Sequence, residues 1–440
     1  MKKLMSLLVL VALLTLAACG GADTDSTSQQ EGNEEATKSK AKATEISILL
    51  GKPEIAKQFD EAIADFSAEN NVKVTVIPLA GSNAFERMTS LYASGNAPTI
   101  MMMAQEFESF QDNLLDLSNE PWIDSVQEGM TDFITADGNV YGQPLTVEAF
   151  GFIYNKAVLD QAVGGDFDPA TVRTHDQFKQ LLENLDALEG VDPIHVSPMD
   201  WSLGAHLTNP FFAAQSSDRD ERHQFMQDLK DGNVSLEEND VFQGWLNTFE
   251  MMKEHNSDKN SPLAPQYDDG PLALAGGKVG LWFMGNWAYP QLNEIDPEGE
   301  YGFLPVPISN DASDFGNNEI SVGVPSYWVV DAAQSTEEQQ EAAKAFLNWL
   351  VSTEQGQEHY VNGLNLIPVF DNFEVEPQDS LSLSILEYMS GNHTLEWMNS
   401  YYPADGWPTM GSALQKYTSD NIDREGLINE FESYWESVKE

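Results

Sequence analysis

Residues 275–291 read AGGKVGLWFMGNWAYPQ, and this stretch guides the interpretation of the whole chain. Three glycines open a short apolar run over residues 279–284, which Gly285 and Asn286 end. A tryptophan, Trp287, follows at once. Glycine lets a backbone bend or approach a neighbour closely. The order predicts a buried strand that leads into a turn with large aromatic rings, which either fill a core or face a ligand.

The composition is that of a large globular protein with a strong acidic excess. Of 440 residues, 41% are hydrophobic and 10% aromatic, and this length suits a large core and two folded domains. The 71 acidic and 22 basic residues give a formal net charge of −49 at pH 7. This charge repels phosphates and argues against a nucleic-acid partner. Because the acids are spread along the chain, we interpret them as an adaptation to salt, with a cationic ligand as the alternative.

The N-terminus has the pattern of a lipoprotein signal peptide over residues 1–19. Two lysines precede an apolar run over residues 4–16, which is too short to cross a bilayer as a mature helix. The run ends in Leu-Ala-Ala-Cys, and small residues before a cysteine are typical of a lipobox. Cys19 is the only cysteine and the predicted lipidation site, with a chance cysteine behind an ordinary signal peptide as the alternative. We therefore expect a lipid anchor on the extracytoplasmic face of the cell membrane.

Residues 20–44 have the composition of a flexible tether. They are rich in Ser, Thr, Gln, Glu, Lys and Ala and contain no aromatic residue. Such a segment cannot bury a core. We expect it to let the folded part move above the membrane.

Strands and helices alternate from residue 45 onward. Apolar strands are predicted over residues 46–50, 72–76 and 99–103, and apolar residues at helical spacing lie between them. This alternation predicts an α/β fold with a mostly parallel sheet. In such sheets ligands lie beyond the carboxyl ends of the strands, which selects the loops at residues 51–54 and 104–106.

Four further segments match the pattern of a known family. Residues 140–145 read VYGQPL, residues 150–156 read FGFIYNK, residues 301–307 read YGFLPVP, and residues 321–325 read SVGVP. Together with residues 275–291, they occur in the order typical of extracellular solute-binding proteins, the sugar-capturing subunits of ABC importers. The chain resembles this family over nearly its whole length after the tether.

The resemblance implies an α/β protein with the two-lobe fold of periplasmic binding proteins, type II, in which hinge crossings join the lobes. The N-terminal lobe would comprise residues 45–152 and 320–366, and the C-terminal lobe residues 153–319 and 367–440. The protein would be a monomer without cofactor or metal. It would close on a sugar, in particular an oligosaccharide, and deliver it unchanged to the permease subunits of an ABC transporter.

Ten ligand-binding candidates follow from their positions in the matching segments. Flat rings suit the apolar C–H faces of sugars, while amides and charged groups suit the hydroxyls. The candidates for stacking are Trp201, Trp287, Trp397 and Tyr401, and those for hydroxyl contacts are Lys52, Glu54, Glu106, Glu148, Asn286 and Asp405.

An aromatic cluster near the C-terminus supports a sugar site. Its rings are interleaved with polar side chains, and the set comprises Trp397, Asn399, Tyr401, Tyr402, Asp405 and Trp407. Two prolines and a glycine between residues 403 and 408 predict a loop there. The alternative is a tail that packs its rings onto the second lobe.

Motifs of common enzyme classes are absent from the sequence. No G-x-S-x-G, H-E-x-x-H, C-x-x-C or G-x-x-x-x-G-K-[ST] pattern occurs, and we expect no enzyme. Two alternatives to a sugar carrier stay open. One is a binding protein for another solute such as a polyamine, which the abundant acid would suit. The other is a surface-anchored glycosidase, although nothing marks a pair of carboxylates for glycoside hydrolysis.

Overall fold

A computed structural model describes residues 42–79, 83–403 and 405–438. The predicted signal peptide with Cys19 lies outside these residues, as does most of the predicted tether. No helix within the described ranges combines the length and the apolar character that a membrane crossing requires.

The structure alternates strands and helices, as the sequence predicts. The strands are β1 (Thr44–Leu50), β2 (Val72–Pro78), β3 (Ile100–Met103), β4 (Thr135–Ala136), β5 (Asn139–Val140), β6 (Gly142–Pro144), β7 (Glu148–Asn155), β8 (Asp192–His195), β9 (Val279–Gly285), β10 (Tyr301–Leu304), β11 (Ile320–Gly323), β12 (Tyr327–Val330) and β13 (Thr394–Leu395). The helices are α1 (Ala56–Asn70), α2 (Ala84–Ala93), α3 (Phe107–Phe110), α4 (Lys156–Val163), α5 (His175–Asp186), α6 (Asn209–Ala213), α7 (Arg219–Lys230), α8 (Asp240–His255), α9 (Asp269–Ala275), α10 (Tyr289–Ile295), α11 (Glu337–Ser352), α12 (Glu354–Glu358), α13 (Ser380–Ser390), α14 (Gly406–Thr418) and α15 (Arg424–Ser437).

The first sheet has the strand order β2-β1-β3-β12-β6. Strand β1 pairs in parallel with β2 and β3, and β12 pairs antiparallel with β3 and β6. Helices α1 and α11 cover the sheet because each carries an apolar stripe. Phe59 of α1 stacks on Trp328 of β12 with ring centroids 5.5 Å apart, and Phe346 of α11 meets the edge of Phe59 at 5.9 Å. The three predicted strands of the N-terminal segment are confirmed in this sheet.

The second sheet is built around β7, in which all eight residues are buried. Its order is β13-β11-β7-β9-β8. Strand β11 pairs with the N-terminal half of β7, and β10 pairs with the C-terminal half of the same strand edge. Phe150 of β7 lies opposite Gly285 of β9 on one side and Ser321 of β11 on the other. The stretch at residues 275–291 therefore forms a buried strand beside the centre of this sheet, followed by a helical turn with Trp287, as predicted.

The chain passes from one sheet to the other through short segments. Residues 145–147 join β6 to β7, and residues 324–326 join β11 to β12. The backbone of Val147 forms a bridge with Ile367 of a third segment. The sequence placed lobe boundaries after residue 152 and before residue 320, but all of β7 and β11 belongs to the second sheet. We therefore propose lobe boundaries within the connecting segments.

Salt is expected to stabilise this protein. A net charge of −49 makes the folded chain repel itself, and salt screens that repulsion. We expect the melting temperature to rise on addition of NaCl, with most of the rise below about 0.5 M, since the Debye length falls from about 10 Å at 0.1 M to about 3 Å at 1 M. Thermal unfolding followed by circular dichroism would measure it. A melting temperature that stays constant or falls over this range would contradict the expectation.

Candidate functional site

A cleft of about 400 Å³ lies between the carboxyl ends of the first sheet and the second sheet. The loops after β1 and β3, at residues 51–54 and 104–106, contribute to it from the first lobe. Residues 324–325 of one connecting segment also line it, and the second lobe supplies most of the aromatic rings. The rule that ligands lie beyond the ends of parallel strands thus selected two loops that share one cavity.

Lys52 joins the two lobes at one end of the cleft. Its Nζ lies 2.5 Å from Oε1 of Glu148 at the start of β7, and 2.9 Å from Oε1 of Glu54. Burial acts to lower the pKa of Lys52, but the carboxylates of Glu148 and Glu54 outweigh it and the pKa is raised. Burial raises the pKa of Glu148, and Lys52 offsets part of that rise. Lys52 therefore stays protonated.

The charge of the cleft is negative overall. Glu106 adds a third carboxylate, which accepts a hydrogen bond from the backbone N–H of Ala104 at 3.1 Å. One lysine thus faces three carboxylates in the lining. No group of three or more His, Cys, Asp or Glu side chains suited to a metal ion occurs in the part of the chain that the structure describes.

Five rings on the second lobe form what we call the aromatic wall: Phe150, Trp201, His206, Trp287 and Trp397. The His206 ring lies 4.6 Å from Phe150, 4.9 Å from Trp287 and 5.4 Å from Trp201, measured between centroids. Trp397 lies 5.1 Å from Phe150 on the other side. Phe150 is buried behind the other four rings, which line the cleft and give it an apolar surface.

Two glycines let the outer rings lie directly on the sheet. A Cβ atom at Gly285 of β9 would come within 2.0 Å of the Trp287 ring, and one at Gly323 of β11 within 2.5 Å of the Trp397 ring. Real Cβ contacts are essentially never this short, so a side chain at either position would displace the tryptophan ring. The strands on either side of β7 thus each leave room for one tryptophan, which explains why a glycine precedes the aromatic turn at residue 287.

Asn209 fixes the segment that carries Trp397. Its side-chain amide donates to the backbone oxygen of Glu396 at 3.0 Å and to Oγ of Ser321 at 2.9 Å. Its Oδ1 accepts from the backbone N–H of Asn399 at 3.1 Å. Because Asn209 is fully buried, these bonds tie residues 396–399 to the second sheet.

A π-helical turn, Ser202–Leu207, carries His206 and packs against α14. π-helical turns are rare and often occur at functional sites. The two backbones approach so closely that a Cβ at Gly204 would lie 1.9 Å from the backbone oxygen of Trp407. This contact sets the position of both His206 and Trp407 at the cleft.

Alanine at Gly204 is expected to destabilise the protein. The added methyl group meets backbone, which cannot rotate away, and we expect a loss of about 2 kcal/mol in the free energy of unfolding. Urea unfolding would measure it. The matched control is Gly165→Ala, where a Cβ meets nothing within 4 Å. Equal stability of the two variants would show that the close approach is not required.

Three polar atoms in the cleft lining are buried without a hydrogen-bond partner among the described residues. They are Nδ1 of His206, Nε1 of Trp397 and Oδ1 of Asn399. A buried polar atom without a partner costs about 1–3 kcal/mol. Fourteen such atoms occur among the described residues, and three of them belong to side chains around this one cavity.

The structure brings most of the predicted ligand contacts together. Seven of the ten line the cleft: Lys52, Glu54, Glu106, Glu148, Trp201, Trp287 and Trp397. Asn286 lines a small neighbouring cavity that shares Lys52, Glu54, Glu148 and Trp287 with the cleft. Its Oδ1 accepts from the backbone N–H of Ala149 at 2.9 Å, so one function of this side chain is to fix the turn after β9.

Tyr401 and Asp405 do not line the cleft, which corrects their predicted position. Tyr401 accepts a hydrogen bond from Arg219 at 3.1 Å, and its ring lies 6.0 Å from Phe133 of the first lobe. Asp405 accepts from the hydroxyl of Tyr434 at 2.8 Å. The predicted loop at residues 403–408 is also wrong in part, since α14 begins at Gly406.

Sequence reasoning selected none of four other lining residues as a ligand contact. Asn399 and Trp407 belong to the predicted aromatic cluster, and their proximity to Trp397 in the sequence is the available signal. Phe133 and His206 had no such signal. His206 enters the cleft through the π-helical turn, which has no recognisable sequence pattern.

Comparisons with known proteins agree with this architecture. The family described as bacterial extracellular solute-binding protein matches residues 61–380. The multiple sugar-binding protein of Streptococcus mutans is 22% identical over 337 residues, which cover 74% of this chain and 75% of that protein.

Solved structures share the fold. RafE, a protein of Streptococcus pneumoniae, has been solved in complex with raffinose, and that structure is 21% identical with a TM-score of 0.76 over 90% of this chain and all of that one. A sugar transporter from Bacillus licheniformis in complex with stachyose is 16% identical, with a TM-score of 0.70 over 90% of this chain and all of that one. The predicted two-lobe α/β fold is confirmed.

Proposed function

Because this chain belongs to the bacterial extracellular solute-binding proteins, we propose that it captures an oligosaccharide in the cleft between its lobes and delivers it unchanged to the permease of an ABC importer. Support for a sugar comes from the aromatic wall, which faces carboxylates and a lysine across the cleft. The relatives named above bind raffinose and stachyose or are called sugar-binding, which favours the same ligand class.

The observation that carries the proposal is the set of unpaired polar atoms beside the aromatic wall. The indole N–H of Trp397 needs an acceptor, and Oδ1 of Asn399 needs a donor. A sugar hydroxyl both donates and accepts, so it suits either atom. A polyamine ammonium only donates and would leave the indole N–H unpaired. This difference favours a sugar over a polyamine.

The charge of the cleft narrows the sugar class. Three carboxylates and one lysine repel anionic sugars such as uronic acids or phosphorylated sugars. Carboxylates also accept hydrogen bonds from hydroxyls, and such charge-assisted bonds are strong. A neutral oligosaccharide therefore fits the lining.

Ligand binding would close the lobes. Lys52 and Glu106 contact the cleft from the first lobe, and the aromatic wall contacts it from the second. A ligand that touches both lobes favours the closed state by its differential affinity. The proposal involves no covalent step.

Isothermal titration calorimetry of residues 42–440 would test the proposed function. The panel comprises raffinose, stachyose, maltodextrins, chitin oligosaccharides, a uronic acid oligomer and spermidine. We expect heat from at least one neutral oligosaccharide and none from the uronic acid oligomer. Heat from spermidine alone would replace the sugar proposal with a polyamine carrier. Chromatography of the sugars after incubation should show no cleavage products, and cleavage would indicate a glycosidase.

The lipid anchor is a separate proposal. Cys19 and the preceding small residues support lipidation and placement on the outer face of the membrane. In a Gram-positive host, Cys19→Ser should release the full-length protein from the membrane fraction into the medium. Wild-type protein whose N-terminal peptide carries no lipid on Cys19 in mass spectrometry would contradict the anchor.

A further inference from the structure

His206 occupies the centre of the aromatic wall, where a purely apolar ring would pack equally well. Its ring is stacked on Phe150 at 4.6 Å with an interplanar angle of 20°, and Trp287 lies 4.9 Å away. The residue lines the cleft, yet Nδ1 is buried and has no hydrogen-bond partner within the described ranges. Phenylalanine would keep the stacking and remove the unpaired nitrogen.

The surroundings keep the imidazole neutral. Burial among aromatic rings lowers the pKa of His206 to about 3, because the charged form loses its hydration. A neutral imidazole has one N–H donor and one nitrogen acceptor. It can therefore exchange hydrogen bonds with a hydroxyl without adding charge to the cleft.

The other unpaired polar atoms belong to Trp397 and Asn399, two residues of the same lobe that line the same cavity. Nε1 of Trp397 is a donor, and Oδ1 of Asn399 is an acceptor. The three atoms together offer a mixed pattern of donors and acceptors beside flat rings. This pattern matches a sugar ring that stacks on the wall and presents hydroxyls from its edge.

We infer that His206 is a specificity-determining residue that binds one hydroxyl of the sugar through its neutral imidazole. The inference rests on the proposed sugar binding and deepens it. A sugar that lacks this hydroxyl leaves the imidazole nitrogen unpaired in the closed cleft. Sites built around a hydroxyl discriminate strongly against analogues without it, because their buried polar groups then lose their partner.

His206→Phe separates this function from a structural one. The ring and its stacking are kept, and only the polar atoms are lost. We expect the affinity for the sugar found by calorimetry to fall about 30-fold or more, as for a lost buried hydrogen bond in a binding site. The melting temperature of the ligand-free protein is expected to stay the same or rise, because an unpaired buried nitrogen has been removed.

Monodeoxy analogues of the same sugar supply the second measurement. Wild-type protein should discriminate against one analogue, and His206→Phe should bind that analogue and the parent sugar with similar affinity. His206→Gln, which keeps a donor and an acceptor, should retain part of the discrimination. It also tests the inference if His206→Phe fails to fold.

The possible results distinguish a failure of the proposed sugar binding from a failure of the function inferred for His206. If wild-type protein binds no sugar in the panel, the proposed function fails and this inference fails with it. If wild-type protein binds a sugar and His206→Phe binds it equally well with the same discrimination, only the inference is overturned. A variant that melts lower and loses affinity for parent and deoxy sugars alike would show a packing function instead.

Discussion

Trp287→Ala is expected to reduce the affinity for the sugar by about 100-fold, which corresponds to about 2.7 kcal/mol and is typical of a central aromatic contact in a binding site. Trp287 is half-buried, lies over Gly285 and stands 4.9 Å from His206 in the aromatic wall. Its removal takes away a stacking surface and leaves His206 with one ring neighbour fewer. The same ring also lines the smaller cavity beside Lys52, so no other side chain of the wall replaces it. Calorimetry with the sugar identified for the wild type would measure the change.

Tyr289→Ala is the matched control. Tyr289 belongs to the same aromatic turn and is also half-buried, but it does not line the cleft. We expect this variant to bind with nearly wild-type affinity. Comparable losses in both variants would assign the effect to the turn as a whole. Unchanged affinity of Trp287→Ala would remove the aromatic wall from the binding site.

The fold was predictable because its strands carry a strong local signal. The strands at residues 46–50, 72–76 and 99–103 are short, apolar and separated by helical patterns, and the structure has β1, β2 and β3 there. The predicted lobe boundaries, after residue 152 and before residue 320, do not coincide with the boundary between the two sheets. Strand β7 is buried along its whole length, and its sequence does not show where one sheet ends and the other begins.

The start of α11 shows why a local sequence pattern can place a helix boundary one residue away from its position in the structure. Ser335 with Glu338 has the spacing of a helix cap, but the structure uses Thr336 with Gln339. The backbone N–H of Ser335 is bound instead by Oδ2 of the fully buried Asp331 at 2.6 Å. A tertiary contact thus decides between two neighbouring hydroxyls, and the local spacing of residues does not show it.

The candidate site was predictable where it follows from strand order. Lys52 and Glu106 come directly after parallel strands, and Trp287 follows β9, so topology alone brings them to one cleft. Asp405 does not line the cleft as predicted. The pattern of rings, prolines and glycine predicts a loop there, but a helix begins at the next residue. Proline is tolerated in the first turn of a helix, so Pro408 is compatible with a helix that begins at Gly406. Asp405 directly precedes this helix and accepts a hydrogen bond from the hydroxyl of Tyr434.

Lys52→Met is expected to lower the free energy of unfolding by about 3 kcal/mol at pH 8, the usual cost of breaking a buried ion pair. Glu148 is 5% exposed and loses its partner at 2.5 Å, and Glu54 then faces it as an uncompensated like charge. Urea unfolding would measure the loss. Lys57→Met is the matched control, because Lys57 is exposed on α1 and its removal changes the net charge equally.

The pH dependence of this loss has a definite sign. Burial raises the pKa of Glu148 above its ordinary value of 4.5, and Lys52 opposes the rise, so the pKa climbs further once Lys52 is gone. A carboxyl group with a raised folded-state pKa contributes stability that is present below pH 4.5 and lost as the pH rises through the folded-state pKa. Lys52 has a raised pKa and stays charged between pH 5 and 8, so its own contribution is constant there. The deficit of Lys52→Met relative to wild type should therefore be smaller at pH 5 than at pH 8, whereas that of Lys57→Met should show no such recovery. A deficit that is the same at both pH values, or that grows on acidification, would show that neutralisation of Glu148 does not relieve the loss of Lys52.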